Sequence, residues 1–338
     1  MKRLLVVRLG SFGDLIHTLP AVAAIRRGHH ADLEIDWLVD AAHAGFLALV
    51  PAVTKVIPLG GRTTGAWLEA RRALKARRYD VAADFQGLIK SAALARLSGA
   101  RRVIGFDRSS LREPAAAVFY SERITVGERG HVIEKNLRLA ASLGARAGGG
   151  LEFPIAPVES ASARAAQAAA GGPYALLNPG AAWPNKRWPP DRLAAIARLL
   201  RERHGLASIV LWGPGEADAA EVVVAQSGGA ARRAPETTWT DVLALARGAK
   251  LIVSGDTGPL HLAAAVGVPA VALFGPTNPA RNGPWIEPDI SISRYDRCAC
   301  HYERRCRFDA NRWCLGTITV EDVAEAIRIR LGAPGVKS

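Results

Sequence analysis

Residues 251–274, LIVSGDTGPLHLAAAVGVPAVALF, contain a complete strand–helix–strand unit. The apolar runs at 251–254 and 270–274 have the β-branched composition and the length of buried strands, and residues 260–266 between them are predicted to form a helix. Small residues stand at 255–259, where the first strand turns toward the helix. Strands that are apolar on both faces and alternate with helices are typical of a parallel sheet covered by helices.

The same alternation extends along the whole chain. In the first half, strands are predicted at 3–9, 33–39, 55–59, 80–85 and 101–106, and helices at 15–27, 41–49, 65–78 and 88–97. After a linker rich in Pro, Ala and Gly, the second half adds strands at 174–178 and 208–212 and helices at 191–204, 216–226, 241–247 and 319–331. The sequence therefore predicts two doubly wound α/β domains.

The domain boundaries follow the linker. We expect a first domain at 1–155, a linker region at 156–172, a second domain at 173–318 and a C-terminal helix at 319–332. Open α/β sheets bind ligands outside the carboxyl ends of their strands, so both domains are expected to direct their sites toward a central cleft.

Length and composition limit the class of protein. The chain has 338 residues, which is enough for two cores, and its 49% hydrophobic content excludes disorder. No apolar run approaches the ~20 residues of a membrane helix. The opening residues are too short an apolar stretch for a signal peptide, and Arg8 and Asp14 interrupt it. We therefore expect a cytoplasmic protein.

The positive charge is concentrated in one half. Residues 1–150 carry 23 Lys and Arg against 13 Asp and Glu, a net charge of +10, whereas residues 151–338 carry 21 against 18, a net charge of +3. Such an imbalance indicates an anionic partner for the first half, either a phospholipid surface or a phosphorylated substrate, or else only a generally basic composition. Nucleic acid is not expected, because the sequence has no nucleic-acid-binding motif.

Four loops after predicted strands carry candidate functional residues. Asp14 follows Gly10 and Gly13, and is interpreted either as a helix cap or as a general base. The third glycine of the dinucleotide fingerprint is missing from this loop. The other three loops, at 178–188, 213–216 and 254–261, have small residues beside polar ones.

These three loops have the composition of a nucleotide-phosphate site. Thr257 and the start of the helix after it offer donors to an anion, and His261 lies one turn further on. Lys186, on a loop bounded by Pro and Trp, would reach a pyrophosphate if that loop is not simply a solvated connection. Glu216 would hold a ribose diol.

Four cysteines are clustered near the C-terminus. They have the spacing C-x-C-x5-C-x7-C, at Cys298, Cys300, Cys306 and Cys314. In a cytosolic chain, clustered cysteines favour a metal over disulfides, but the paired C-x2-C spacing of zinc ribbons is missing. A structural metal site and free thiols in a folded loop both remain open.

Several of these stretches together resemble one family. They are LGSFGDLIHTLPA (9–21), QGLIKSA (86–92), REP (112–114), NPGAAWPNKRWP (178–189) and SGDTGPLHLAAAVGVPAVALFGPTNP (254–279). In this order they resemble the lipopolysaccharide heptosyltransferases, which are inverting GT-B glycosyltransferases. The resemblance implies two Rossmann-like domains facing a cleft. It also implies transfer of heptose from ADP-L-glycero-D-manno-heptose to the inner core on lipid A, without metal or cofactor, at the inner face of the cytoplasmic membrane.

The resemblance also assigns roles to individual residues. It makes Asp14 the general base that deprotonates the acceptor hydroxyl. The acceptor-binding residues it implies are Ser11, Gly13, Lys90 and Arg112. The donor-binding residues it implies are Gly180, Ala181, Lys186, Glu216, Asp256, Thr257, Gly258 and His261.

The acceptor is less defined by the resemblance. The stretches HTLPA, QGLIKSA and REPAAAVFY resemble the enzyme that adds the first heptose to Kdo-lipid A, which is the favoured interpretation. The segment 298–314 instead resembles the second heptosyltransferase. A related transferase using another nucleotide sugar and a non-catalytic sugar-nucleotide-binding protein are the alternatives.

Overall fold

A computed structural model describes residues 1–61, 63–127, 130–146, 148, 150–308 and 314–332. The chain divides into two compact units, Met1–Ala156 and Pro157–Ser338. In each unit the described residues form one parallel six-stranded sheet with helices against it. This confirms the predicted fold class, a GT-B chain with two Rossmann-like α/β units.

The first unit is built on a sheet of strand order β3-β2-β1-β4-β5-β6. Its strands are β1 Arg3–Val7, β2 Glu34–Asp40, β3 Lys55–Leu59, β4 Val81–Asp84, β5 Arg102–Phe106 and β6 Glu122–Ile124. Its α-helices are α1 Phe12–Ile16, α2 Leu19–Gly28, α3 Ala44–Leu47, α4 Thr64–Arg77, α5 Ile89–Leu97 and α6 Val132–Ala141. Short 3₁₀ helices cover Ala41–His43, Arg108–Ser110 and Pro114–Phe119.

The second unit has a sheet of the same kind, in the order β12-β11-β10-β7-β8-β9. Its strands are β7 Tyr174–Asn178, β8 Ala207–Val210, β9 Ala231–Arg233, β10 Leu251–Gly255, β11 Ala270–Phe274 and β12 Ile290–Ser293. Its α-helices are α7 Ala161–Ala170, α8 Pro190–His204, α9 Ala217–Gln226, α10 Trp239–Gly248, α11 Gly258–Ala265, α12 Pro279–Asn282 and α13 Val320–Gly332. Its 3₁₀ helices cover Pro184–Lys186, Tyr295–Arg297 and Cys314–Thr317.

Each sheet reverses its strand order at one place. In the first unit this switch lies between β1 and β4, and in the second it lies between β7 and β10. The connections that follow two such strands diverge to opposite faces of the sheet and leave a crevice at their carboxyl ends. The fold therefore indicates where each unit binds its ligand, and Asp14 and Asp256 lie in the connections that follow strands at these two positions.

The predicted helix at 15–27 is two helices in the structure. Helix α1 ends at Ile16, and α2 starts at Leu19 with Pro20 in its first turn. Proline lacks the backbone N–H and its ring clashes with the carbonyl four residues earlier, so one continuous helix is interrupted here. The predicted helix at 41–49 is likewise shorter, a 3₁₀ turn followed by α3.

Three strands are missing from the sequence prediction. They are β6, β9 and β12, and each lies at the edge of its sheet. Edge strands are short and partly exposed, as the sequences of β6 (ERI) and β9 (ARR) illustrate. Apolar periodicity carries little information about such strands.

Helix α7 lies inside the predicted linker region. It packs against α10, and Gln167 Nε2 donates a hydrogen bond of 2.9 Å to the hydroxyl of Tyr174 at the start of β7. This contact attaches the helix to the second unit. None of the described helices is long and apolar enough to cross a membrane.

Gly105 in β5 provides a test of the packing in the first sheet. A Cβ atom at this position would lie 2.4 Å from the ring of Tyr120, whose hydroxyl bonds to buried Asp84. We expect Gly105→Ala to lower the free energy of unfolding by about 1–3 kcal/mol, measured by urea denaturation, because the ring cannot move away without breaking that bond.

Gly45→Ala is the matched control for this substitution. A Cβ atom at Gly45 in α3 meets nothing within 4 Å, so the change should be neutral or stabilising by less than about 1 kcal/mol. Equal urea midpoints for the two variants would contradict the packing argument.

Candidate active site

Asp256 is at the centre of the site in the second unit. It follows β10 at the switch point and is buried. Its Oδ2 accepts hydrogen bonds from Lys186 Nζ at 2.5 Å and Thr277 Oγ1 at 2.8 Å. Its Oδ1 is 3.0 Å from His261 Nε2 and accepts from Asn282 Nδ2 at 2.8 Å. One carboxylate thus joins the loops that follow β7, β10 and β11.

This environment keeps Asp256 ionised. Burial by itself would raise the pKa of the carboxyl group, but the hydrogen bond from His261 and the charge of Lys186 outweigh it and hold the pKa well below its usual range. Asp256 is therefore a fixed negative charge at neutral pH. Its hydrogen-bonding capacity is largely used by protein donors.

Lys186 lies at the end of a 3₁₀ turn in the loop after β7. Its ammonium group is 4.5 Å from the centre of the ring of Trp183, the residue that precedes the turn. The backbone of the loop is also held close to β10, because a Cβ atom at Gly255 would lie 2.5 Å from the carbonyl oxygen of Lys186. The lysine is thus held by an ion pair, an aromatic face and a tight backbone contact.

Asn178 connects the loops after β7 and β10. Its side-chain amide donates to Ser254 Oγ at 3.0 Å, to Thr257 Oγ1 at 2.9 Å and to the carbonyl of Gly180 at 3.2 Å. Thr257 is the N-cap residue of α11 and Gly258 is its first residue. Backbone N–H groups at the start of this helix are suited to binding a phosphate. The sequence analysis did not identify Asn178, Thr277 or Asn282 as site residues.

Glu216 and Gly180 are in direct contact. The Glu216 carboxylate accepts a hydrogen bond of 2.9 Å from the backbone N–H of Gly213. A Cβ atom at Gly180 would lie only 1.9 Å from Glu216 Oε2, so only glycine fits there. Beside it, the carbonyl of Ala181 accepts a hydrogen bond of 2.9 Å from Arg187 Nε, which fixes the same loop.

Asp14 lies at the switch point of the first unit. It is the third residue of α1, and its Oδ2 accepts hydrogen bonds from the backbone N–H and the hydroxyl of Ser11, at 3.1 and 3.0 Å. Ser11, rather than Asp14, is the N-cap residue of this helix, and Gly13 lies between them. The Asp14 side chain retains 25% exposure, against 5% for Asp256.

Arg8 fixes the position of the Asp14 carboxylate. Its guanidinium group is buried, forms an ion pair of 2.6 Å with Asp14 Oδ1 and donates to the carbonyl of Phe85 at the end of β4. Leu9 N–H donates to Gln86 Oε1 at 2.8 Å across the same switch point. The sequence analysis did not assign a role to Arg8, although an arginine at the end of an apolar strand is a recognisable signal.

A second buried carboxylate organises the loop that leads to Lys90. Asp84 accepts hydrogen bonds from Tyr120, Ser91, Gln86 and Gly87. Burial raises the pKa of Asp84 in spite of these bonds. Lys90 lies in the first turn of α5, which follows this loop.

Arg112 lies in an exposed segment that also contacts α5. The neighbouring Glu113 carboxylate accepts a hydrogen bond of 2.8 Å from the backbone N–H of Ile89. The structure therefore brings the segments that carry Lys90 and Arg112 together at one end of α5.

The cysteine segment shows no metal-binding arrangement in the part that is described, which omits 309–313. Within the described residues, no group of three or more His, Cys, Asp or Glu side chains could hold a metal ion. Cys298 and Cys300 are buried. Burial raises the pKa of the Cys314 thiol to about 12, so this thiol is protonated at neutral pH.

Comparison with known proteins identifies the family to which the chain is similar. A family model described as "Glycosyltransferase family 9 (heptosyltransferase)" matches residues 67–311. Lipopolysaccharide heptosyltransferase 1 of Pseudomonas aeruginosa is 33% identical, over 98% of this chain and 99% of that protein. The protein of the same name from Escherichia coli K12 is 30% identical, over 83% of this chain and 90% of that protein.

The chain is also similar to solved heptosyltransferase structures. E. coli heptosyltransferase WaaC with ADP has a TM-score of 0.78 and 27% identity, with 97% of this chain and 99% of that chain covered. WaaC with ADP-2-deoxy-2-fluoro heptose gives a TM-score of 0.75 at the same identity and coverage. Fold and relatives make this chain a GT-B glycosyltransferase. It belongs to glycosyltransferase family 9, the heptosyltransferases.

The ionised Asp256 predicts a pH-dependent stability. The pKa of Asp256 in the folded protein lies below its value of about 4 in the unfolded chain. The contribution of the ionised carboxylate to the free energy of unfolding is therefore fully present above about pH 4, and it is lost as the pH falls through the folded pKa. We expect Asp256→Asn to lower the free energy of unfolding by about 3–5 kcal/mol at neutral pH, because it leaves Lys186 without its counter-ion. Urea denaturation should show this deficit shrinking below about pH 4.

Asp296→Asn is the control for this titration, since Asp296 is exposed. Its unfolding free energy should stay close to that of the unsubstituted protein at every pH. A deficit of Asp256→Asn that does not change between neutral and acidic pH would show that the carboxylate is not the ionised partner of Lys186.

Proposed function

We propose that this heptosyltransferase uses ADP-L-glycero-D-manno-heptose as donor and Kdo-lipid A as acceptor, and that it adds the first heptose of the lipopolysaccharide inner core. The observation that carries the proposal is the Lys186–Asp256 ion pair. It holds the ammonium group of Lys186 beside the N-terminus of α11, at the switch point of the second unit. The names and bound ligands of the relatives support the choice of donor.

The second unit would bind the donor. The first turn of α11 and the Thr257 hydroxyl offer N–H and O–H donors to the diphosphate. Lys186 has three N–H donors, of which two are directed at Asp256, so one is left for a phosphate oxygen. The ammonium charge stabilises the negative charge that develops on ADP as it departs.

Glu216 would select the ribose. Gly180 allows the carboxylate to lie against the backbone, where Gly213 N–H holds Oε2. A carboxylate fixed in this way can accept hydrogen bonds from both hydroxyls of a ribose diol. Asp256 would contribute indirectly, by pairing with Lys186 and holding it in place.

The first unit would bind the acceptor and activate it. Asp14 takes the proton of the acceptor hydroxyl while the hydroxyl oxygen attacks the anomeric carbon of the heptose. The bond from that carbon to the phosphate oxygen breaks, ADP leaves with the electron pair, and the anomeric configuration is inverted. Ser11 and Arg8 orient the carboxylate. Lys90 and Arg112 supply positive charge for the anionic groups of the acceptor.

An acceptor embedded in a membrane requires the enzyme to work at its surface. We include in the proposal that the protein acts in the cytoplasm and associates peripherally with the inner face of the cytoplasmic membrane. The net charge of +10 in residues 1–150 supports attraction to an anionic surface.

Release of ADP from ADP-heptose is the direct test. We expect release in the presence of EDTA that depends on Kdo-lipid A. Release only with an acceptor that already carries one heptose would contradict the first-heptose assignment and favour the second heptosyltransferase. Absence of release with either acceptor would contradict the proposed donor.

Asp14→Asn tests the catalytic assignment. We expect ADP release to fall by about 10²–10⁴-fold, because the amide cannot accept the proton, while ADP affinity measured by calorimetry is unchanged. Asp32→Asn, an exposed carboxylate of the same unit, should retain full activity. Equal activity of the two variants would exclude Asp14 as the base.

Gly180→Ala tests the ribose contact. The added methyl group would displace the Glu216 carboxylate, so we expect ADP to bind roughly tenfold or more weakly, as expected for a lost charged hydrogen bond. Gly172→Ala, where a Cβ atom meets nothing within 4 Å, is the control. Unchanged ADP affinity in Gly180→Ala would argue against Glu216 as a nucleotide contact.

A further inference from the structure

Helix α5 presents an apolar stripe to solvent. Its residues Ile89, Ala93 and Leu97 follow each other at intervals of four, so they lie on one face of the helix. The face toward the sheet is made by other residues, all buried: Ser91, Ala92, Leu94 and Ala95. Ile89 is 44% exposed and Leu97 is 36% exposed. Ala93 between them is half-buried, so packing within the unit does not account for the two ends of this stripe.

A second apolar surface lies beside this stripe. The 3₁₀ helix Pro114–Phe119 packs against α5, and the backbone N–H of Ile89, the first residue of α5, donates a hydrogen bond to Glu113, the residue before this 3₁₀ helix. Val118 on this helix is 67% exposed, which is the largest exposed fraction among the large hydrophobic residues that the structure describes. Ala115, three residues earlier, is exposed as well.

Basic side chains surround these apolar residues. Arg96 lies on α5, Arg108 lies in the 3₁₀ turn that packs against Pro114–Phe119, and Arg123 donates to the carbonyl of Ala117. All three are exposed, and none forms an ion pair with another described residue. By contrast, the nearby Arg102 is paired with Glu122.

We propose that these residues form a docking surface for an anionic lipid bilayer. The docking surface consists of Ile89, Ala93, Leu97, Ala115, Val118, Arg96, Arg108 and Arg123. Apolar side chains at its centre enter the boundary between headgroups and acyl chains, while the arginines bind lipid phosphates. This inference rests on the proposed function, because that function places the acceptor in a membrane.

Two observations favour a bilayer over another occupant. The docking surface is continuous with Lys90, a proposed acceptor contact, because α5 carries both Lys90 and the apolar stripe. A second copy of the chain would bring the same unpaired arginines face to face, and like charges opposed in this way are unfavourable. An anionic surface neutralises all three at once.

Vesicle binding by the full chain tests the docking surface. We compare vesicles of phosphatidylethanolamine with phosphatidylglycerol against vesicles of phosphatidylcholine, by co-flotation. The double variant Leu97→Ser with Val118→Ser should bind anionic vesicles roughly tenfold more weakly. The pair Val222→Ser with Ile329→Ser, which removes exposed apolar side chains of the second unit, should bind like the unsubstituted protein.

The charged residues need a separate pair of variants. Arg96→Gln with Arg123→Gln should weaken binding to anionic vesicles roughly tenfold at low salt, leave any binding to phosphatidylcholine unchanged, and lose its effect at high salt. Arg201→Gln with Arg203→Gln, exposed arginines of α8, is the control and should have no effect.

Turnover separates docking from catalysis. With Kdo-lipid A in vesicles, the Leu97/Val118 variant should lose activity in proportion to its vesicle binding. With the same acceptor after removal of its acyl chains, its rate should equal that of the unsubstituted protein. Failure of the unsubstituted protein to turn over either acceptor would reject the proposed function. Co-flotation with vesicles would still test the docking surface, because it does not depend on turnover.

Three results would overturn the docking surface. One is unsubstituted protein that does not float with anionic vesicles. Another is a Leu97/Val118 variant that binds anionic vesicles as well as the Val222/Ile329 control does. The same holds if the Leu97/Val118 variant loses as much activity on the acceptor without acyl chains as it loses on the acceptor in vesicles. The third is a change in molar mass of this variant by light scattering, which would show instead a contact between copies of the chain.

Discussion

The ion pair between Lys186 and Asp256 is the interaction on which the second unit's site depends. A carboxylate removed from water is tolerated only when cations and hydrogen-bond donors surround it. Here the donors come from three loops that follow three different strands, so satisfying one buried charge also fixes the relative positions of those loops. The sheet topology creates the crevice, and the Asp256 carboxylate fixes the loops that border it.

The first unit uses the same topology with a different outcome. Arg8 and Asp14 pair within the segment that follows β1, and the Arg8 guanidinium also reaches across the switch point to the carbonyl of Phe85, just after β4. Asp14 is more exposed than Asp256. The proposed mechanism requires Asp14 to accept a proton from the acceptor, which needs this access, whereas a carboxylate that only holds a lysine does not. In the proposed mechanism, the same topology therefore positions a general base, Asp14, in the first unit and a carboxylate that holds a lysine, Asp256, in the second.

Much of this organisation could be predicted from sequence, for identifiable reasons. Central strands such as β7 and β11 are apolar on both faces, and their predicted bounds are those of the structure. Loops with small residues beside Lys186, Asp256 and His261 indicated an anion site, and the structure brings these three side chains together. Local patterns were sufficient where one strand and the loop after it carry the information.

Other parts could not be predicted because the partners are distant in sequence. Thr277 and Asn282 contact Asp256 from 21 and 26 residues away, and the local sequence around neither residue assigns it a contact with Asp256. Asp84 lies at the end of an apolar run, but its partner Tyr120 is 36 residues further on. Only the packing of the sheet defines such contacts.

The position of Trp183 gives the molecule an intrinsic optical signal. An indole excited state is sensitive to a nearby charge, and the Lys186 ammonium lies 4.5 Å from the centre of this ring. A phosphate bound to the remaining N–H of Lys186 would bring negative charge close to the indole, and the changed electric field would shift the wavelength of its emission. Under the proposed function, nucleotide binding to the second unit can therefore be followed by tryptophan fluorescence without attaching a dye.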